Sequence, residues 1–229
     1  MKTETYFARN NKCFTNSTPM EVKGLMLHSV GCSQPSAAVF VRLYNDASLN
    51  KCPHAFIDAN TGLTYQVLPW GIKGAHAGGS ANNGYIGVEM CEPKSIEYTH
   101  ASNFKVLDKS NAVKAATTTY NTAVRVFAGL CEDFELDPLE HGVIISHSEG
   151  NKMGVASNHA DPEHLWKQLG LNYTMDTFRA DVAKELIKRN NTRKIYRVQV
   201  GAFSDYARAK NYLDELEKLG LKGFVVEDK

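Results

Sequence analysis

Short apolar segments with the composition of buried strands alternate along this chain with segments of helical periodicity. Gly24–Val30, Tyr85–Met90 and His141–His147 are three such strand-like segments. Between the last two, apolar residues recur every three or four positions from Asn111 to Cys131, which predicts a helix with one buried face. This alternation favours an α/β fold, in which helices flank a central, mostly mixed sheet.

Local signals predict further elements around these strands. His54–Asp58 and Leu63–Leu68 flank Ala59–Gly62, which is the pattern of a β-hairpin with glycine at its turn. Ser33, with a proline two residues later, predicts the start of a helix. Thr174 predicts another helix start, followed by apolar residues that would face the core: Met175, Phe178, Val182 and Leu186.

The composition narrows the choice of partners. The formal net charge is +1, so the overall charge does not indicate binding to nucleic acid or to an anionic membrane. No apolar run approaches the roughly 18 residues of a transmembrane helix, so membrane insertion is not expected. Residues Met1–Asn11 lack the apolar core of a Sec signal peptide. The five cysteines form no Cys-x-x-Cys pair, so neither a disulfide framework nor an all-cysteine zinc site is expected.

Two histidines and one aspartate are candidates for a metal site. His28 and His147 lie at the ends of predicted strands, and Asp161 lies in the loop Ser157–Pro162. Two imidazoles and one carboxylate can bind a catalytic zinc ion and leave a fourth position open for water. A histidine at a strand end is, however, more often a hydrogen-bonded structural residue, and Asp-Pro is common in turns. The residues alone leave both interpretations open.

Four motifs support the interpretation as a metal site. The segment Leu25–Ser29 resembles the first zinc motif of the N-acetylmuramoyl-L-alanine amidase type 2 family, which includes phage T7 lysozyme-like amidases and peptidoglycan recognition proteins. Ala75–Gly78 and Ile86–Glu89 resemble the middle motifs of that family. Ser146–Trp166 resembles its closing motif, in the version found in clostridial and phage wall hydrolases. The four motifs occur in the family's order, over roughly residues 20–190.

The resemblance implies a role for each site residue. It implies that His28, His147 and Asp161 bind Zn²⁺, and that Glu89 acts as the general base or orients the attacking water. His159 occupies a position where many relatives have lysine, which implies stabilisation of the oxyanion of the tetrahedral intermediate.

Two further histidines are weaker candidates. His54 lies beside the predicted hairpin and His76 lies within the motif Ala75–Gly78, and both are interpreted as lining the substrate groove. The alternative is that His54 supports a ligand from behind and that His76 braces the sheet.

A boundary is predicted near residue 190. Lys188–Lys194 is polar and charged without an apolar residue, which is typical of a linker. Beyond it, a strand at Ile195–Gly201, a helix at Ser204–Leu219 and a strand at Gly223–Glu227 would form a small β-α-β unit. The sequence thus predicts an amidase domain at residues 1–190 and a small unit at residues 195–229.

The small unit also resembles a known module. Tyr196–Ser204 is similar to the opening of a SPOR repeat, which implies binding to peptidoglycan glycan strands. Such domains usually contain two repeats, and one is present here. The single repeat is either an incomplete copy, a decayed one, a docking appendage, or half of a homodimer in which two chains cover each other's apolar face.

The resemblance implies hydrolysis of the amide between N-acetylmuramic acid and L-alanine in peptidoglycan. The chain would be made in the cytoplasm without a Sec signal peptide and would act on the cell wall after release. One alternative is a non-catalytic peptidoglycan-recognition protein of the same fold, although Asp161 and Glu89 favour catalysis. A zinc peptidase of the stem peptide is another alternative, but the chain has no His-Glu-x-x-His motif.

Overall fold

A computed structural model describes residues 3–192 and 199–227, which form two compact units, Met1–Asn191 and Thr192–Lys229. The strands of the described residues are β1 (Thr3–Thr5), β2 (Gly24–Ser29), β3 (Ala55–Ile57), β4 (Thr64–Gln66), β5 (Tyr85–Met90), β6 (Ile96–His100), β7 (Asn103–Val106) and β8 (Ile144–Ser146). The helices are α1 (Lys12–Asn16), α2 (Ala37–Tyr44), α3 (Lys109–Asp133), α4 (His147–Lys152), α5 (Glu163–Gln168), α6 (Met175–Thr192) and α7 (Tyr206–Lys218). No helix of the described residues has both the length and the apolar character needed to cross a bilayer.

The first unit is built on a six-stranded sheet in the order β1-β4-β3-β5-β2-β8. β3 and β4 pair antiparallel, and the other four pairs are parallel. This confirms the predicted α/β class with a mixed sheet. β6 and β7 form a separate hairpin that the sequence patterns did not indicate.

The two faces of the sheet have different surroundings. Leu25 and Leu27 of β2 and Val88 of β5 belong to the same buried cluster as Phe127 of α3. Met26, which lies between the two leucines, belongs to a different buried cluster. Because side chains alternate along a strand, His28 projects from the same face as Met26, opposite α3.

The register of β2 and β5 brings two candidate site residues side by side. His28 pairs with Glu89, and by the alternation of side chains along each strand both project from the face opposite α3. The central strands thus place a candidate ligand and a candidate base on one face of the sheet.

Two boundaries differ from the predictions. The predicted strand His141–His147 is shorter, because the chain turns into α4 at His147. Ser146 caps that helix and forms a reciprocal capping box with Glu149, a Ser-x-x-Glu signal present in the sequence. The helix predicted from Ser33 begins at Ala37 after Ser36, and the Ala37 amide donates a hydrogen bond to Asp58.

The predicted linker Lys188–Lys194 is helical through Thr192. Arg189 donates two hydrogen bonds to Glu132 of α3, which fixes this last part of α6 to the first unit's long helix. A charged sequence pattern therefore marked a solvated helix end rather than an irregular segment.

The second unit contains α7, which agrees with the predicted helix Ser204–Leu219. Asp205 caps its start by accepting a hydrogen bond from the Arg208 amide, and Gly220 follows its end with φ of 81°. Most of the predicted strand Ile195–Gly201 lies outside the described residues. The prediction of a strand at Gly223–Glu227 is wrong, since this segment has no strand assignment. A strand requires a hydrogen-bonded neighbour, and no strand lies beside it among the described residues of this unit.

Candidate metal centre

The candidate ligands come from three parts of the chain that the sheet brings together. His28 lies on β2 and is 1% exposed, and His147 begins α4 directly after the neighbouring strand β8. Asp161 precedes α5 and is 7% exposed. The Ser148 amide donates a hydrogen bond to the Asp161 carbonyl, and the Ser29 amide donates one to the Asp161 carboxylate. Asp161 is therefore fixed through both its backbone and its side chain.

Ligand atoms of these three residues all lie within 4.8 Å of one another. The Nδ1 atoms of His28 and His147 are 3.0 Å apart. The carboxylate of Asp161 lies 3.2 Å from His28 Nδ1 and 3.6 Å from His147 Nδ1. Ligand atoms bound at 2.0–2.1 Å to a tetrahedral zinc ion lie about 3.3 Å apart, so the observed spacing fits such an ion.

A hydrogen-bonded network holds His147 in place. Ser146 Oγ accepts a hydrogen bond from the Glu149 amide and donates one to Glu163. Arg179 of α6 pairs with both carboxylate oxygens of Glu149. The start of α4, and with it His147, is therefore fixed to a longer helix. The capping box could have been found from the sequence, but the Arg179 contact could not, because it joins distant segments.

The residues of the cluster differ in how their surroundings shift their pKa values. Burial and the charge of His28 together lower the pKa of His147 to about 4, so this ring is neutral at pH 7. Burial opposes ionisation of Asp161, but its hydrogen bond and charge interaction with His28 hold the pKa of the carboxyl below its ordinary value. Burial lowers the pKa of His28, but the charges of Glu89 and Asp161 hold it above its ordinary value. Because a neutral imidazole and an ionised carboxylate are the forms that bind metal, His28 would release a proton on binding an ion.

Glu89 lies beside this cluster, in register with His28. Burial raises the pKa of its carboxyl to about 7, against the opposing charge of His28. Its Oε2 atom is buried and has no hydrogen-bond partner among the described residues. A carboxylate of this kind can accept a proton near neutral pH.

The remaining candidate histidines occupy three different environments. His54 is fully buried, accepts a hydrogen bond from the Gly87 amide and donates to the Ile72 carbonyl, so both ring nitrogens are used within the protein. His76 is partly buried, and its Nδ1 lies 2.9 Å from His28 Nε2. His159 is exposed, with Nδ1 3.2 Å from His147 Nε2. The structure therefore brings His76 and His159 into contact with the cluster, whereas His54 lies beyond His76, with the two ring centroids 5.7 Å apart.

The two histidines and the aspartate converge at one face of the sheet and form a candidate metal centre. Their ligand types are those of zinc sites in hydrolases. The chain belongs to the N-acetylmuramoyl-L-alanine amidase family, which matches residues 18–164. Residues 153–227 match the SPOR domain. No curated protein matches the chain.

Solved structures show the same fold. The Staphylococcus aureus hydrolase AmiA, solved in complex with its ligand, is 16% identical with a TM-score of 0.59, over 83% of this chain and 84% of that one. A mutant endolysin from Bacillus subtilis is 19% identical with a TM-score of 0.55, over 80% of this chain and 99% of that one.

A second polar network, which the sequence did not indicate, supports the loop after His28. Glu92 is fully buried and accepts hydrogen bonds from the Gly31 amide and the Tyr98 hydroxyl. The same hydroxyl lies 2.7 Å from Nε2 of His164 on α5. This network joins the end of β5, the β6–β7 hairpin and the helix that follows Asp161. Burial raises the pKa of Glu92 to about 7.

Glu92 should make the stability of the protein depend on pH. The ordinary pKa of a glutamate is 4.5, so between pH 4.5 and about 7 the folded chain holds a proton on Glu92 that the unfolded chain has released. The stabilisation is therefore complete below pH 4.5 and is lost as the pH rises through 7. We expect Glu92→Gln to remove up to roughly 3 kcal/mol of this pH-dependent loss, measured by urea unfolding from pH 4.5 to 8. The exposed Glu97→Gln is the control, and equal slopes in Glu92→Gln and wild type would contradict the prediction.

Proposed function

We propose that this protein is a zinc-dependent N-acetylmuramoyl-L-alanine amidase that hydrolyses the amide between N-acetylmuramic acid and L-alanine in peptidoglycan. The observation that carries the proposal is the convergence of His28, His147 and Asp161 on one point, in a chain of the amidase family. The fold shared with a staphylococcal hydrolase and a Bacillus endolysin supports it.

The donor set fits zinc. Two neutral imidazoles and one carboxylate are typical ligands of a catalytic zinc ion, and three protein ligands leave a position for water or substrate. The unpartnered Oε2 atom of Glu89 lies beside this set, where it would contact a water or substrate group. When bound, zinc would act as a Lewis acid on the scissile carbonyl and on the attacking water.

The protein's own residues would supply the proton transfers. Glu89 would take the proton of the attacking water and pass it to the leaving amino group of L-alanine, for which a pKa of about 7 is suitable. His159, exposed at the edge of the cluster, would donate a hydrogen bond to the oxyanion of the tetrahedral intermediate. His54, with both ring nitrogens used inside the protein, would support the site rather than contact substrate.

The zinc ligands can be tested by removing them one at a time. We expect His28→Ala, His147→Ala and Asp161→Ala each to lose most of the one zinc ion per chain that wild type binds, because two ligands hold the ion poorly. Elemental analysis after gel filtration measures the stoichiometry, and circular dichroism checks folding. His141→Ala, an exposed histidine outside the cluster, is the control. Full occupancy in folded His147→Ala protein would refute this ligand set.

The bond that is cut can be identified from the products. Digestion of purified sacculi should release L-alanine amino termini without new reducing sugar ends, measured by dinitrophenylation and by a reducing-sugar assay. Glu89→Gln should keep zinc and lose at least about 100-fold in rate, because it removes the proton acceptor but no ligand. New reducing ends in step with turbidity loss would indicate a glycosidase. Zinc binding without any product would indicate a recognition protein.

We further propose that residues 1–190 form the catalytic domain and that residues 195–229 bind wall glycan as a SPOR-like unit. The match to the SPOR domain supports the second assignment. Apolar side chains of its described part are exposed, among them Val200, Phe203, Tyr206 and Phe224. Such side chains can contact sugar rings or a second unit. The chain would be made in the cytoplasm and would meet peptidoglycan after release.

Truncation should separate binding from chemistry. A chain ending at Thr192, the last residue of α6, should cleave a soluble muropeptide at the wild-type rate, because every candidate site residue precedes that position. It should sediment with sacculi more weakly than the full chain. Light scattering on both chains tests the homodimer: a dimer that the truncation abolishes supports pairing through this unit. Equal sedimentation of the two chains would refute the targeting role.

A further inference from the structure

We propose that the segment His76–Gly79 is a positioning segment, which sets the tautomer of both candidate histidine ligands at once. The inference rests on the zinc site proposed above and adds a role for residues outside the ligand set. A neutral imidazole carries one proton, so a ring binds zinc through Nδ1 only when that proton is on Nε2. An acceptor beside each Nε2 atom therefore decides whether the ring can act as a ligand.

The side chain of His76 provides the acceptor for His28. His76 Nε2 lies 3.0 Å from the Tyr85 carbonyl oxygen, which can only accept, so this nitrogen carries the proton of the ring. Its Nδ1 atom is then an acceptor, and it lies 2.9 Å from His28 Nε2. In the neutral, metal-binding form of His28 the remaining proton is thereby held on Nε2, and Nδ1, which faces His147 and Asp161, is the atom available to the ion.

The backbone of the next residue controls His147 through a serine. The Ala77 carbonyl accepts hydrogen bonds from the amide and the hydroxyl of Ser157, at 2.8 and 3.2 Å. With its proton so directed, Ser157 Oγ accepts from His147 Nε2 at 3.1 Å. The neighbouring His159 Nδ1 lies 3.0 Å from this hydroxyl and 3.2 Å from His147 Nε2, so it belongs to the same group of contacts.

Asn82 and three glycines hold the positioning segment against the sheet. Asn82 Oδ1 accepts hydrogen bonds from the amides of both His76 and Ala77. A Cβ atom at Gly87 would lie 2.4 Å from the His76 ring, and one at Gly79 would lie 2.4 Å from the Val155 carbonyl oxygen. At Gly78, which has φ of 65°, it would lie 2.6 Å from Ser157 Oγ. The close contacts that connect the segment to both histidines thus depend on positions without side chains.

The test compares variants of similar size that keep or remove each acceptor. His76→Leu removes the acceptor beside His28, whereas His76→Asn places an amide oxygen near the position of Nδ1. Asn82→Leu removes the acceptor for two amides, whereas Asn82→Asp retains it. Ser157→Ala removes the acceptor that Ala77 orients. Zinc affinity is measured on the full-length chain by competition with a chromophoric chelator, and urea unfolding in excess chelator reports stability without zinc.

We expect the two leucine variants and Ser157→Ala to bind zinc about 10–100-fold more weakly than wild type. We expect His76→Asn and Asn82→Asp to recover most of that loss. A purely structural role would lower the unfolding midpoint without this pairwise difference in affinity. Affinities within twofold of wild type in all five variants, or equal losses in the Asn and Leu variants of His76, would overturn the inference and leave the proposed function intact. A wild type that binds no zinc would overturn both.

Discussion

The organisation of this protein depends on keeping two imidazoles and a carboxylate in contact inside a folded chain. The Nδ1 atoms of the two imidazoles lie 3.0 Å apart, and burial of each polar group away from water costs free energy. The cost is offset by partners on the outer side of each ring and by the backbone amide that donates to Asp161. The arrangement is therefore stable only as part of a larger hydrogen-bonded set.

The parallel strands provide the positions for this set. β5, β2 and β8 lie side by side, so residues near the ends of β2 and β8 meet on the same edge without long side chains reaching across the molecule. Alternation then divides the work between the two faces: leucines and valines pack on α3, while His28, Gly87 and Glu89 share the opposite face. Position 87 requires glycine, because the ring of His76 occupies the space that a side chain would fill.

Much of this could be predicted from local sequence patterns. β5 matched its predicted bounds, and β2 and α3 matched within two residues, because apolar runs and helical stripes are local signals. The family resemblance indicated the three residues that the structure gathers, although their role as ligands stays a prediction. The contributions of Ser157, Glu92 and Arg179 could not be predicted, because a hydrogen bond between distant segments leaves no periodic trace. The apolar run before His147 predicts a strand end at that residue, whereas the Ser146–Glu149 capping box makes it the first residue of a helix.

The separation of the three clustered residues along the chain has a consequence for assembly. Residues 28, 147 and 161 meet only when the central strands are paired and α4 and α5 have formed, so no early fragment contains the complete set. An ion held there would bind the finished domain and not its precursors, and its binding energy would add to the stability of the native state alone. The affinity of the site and the concentration of free metal around it would then set how slowly the native domain unfolds.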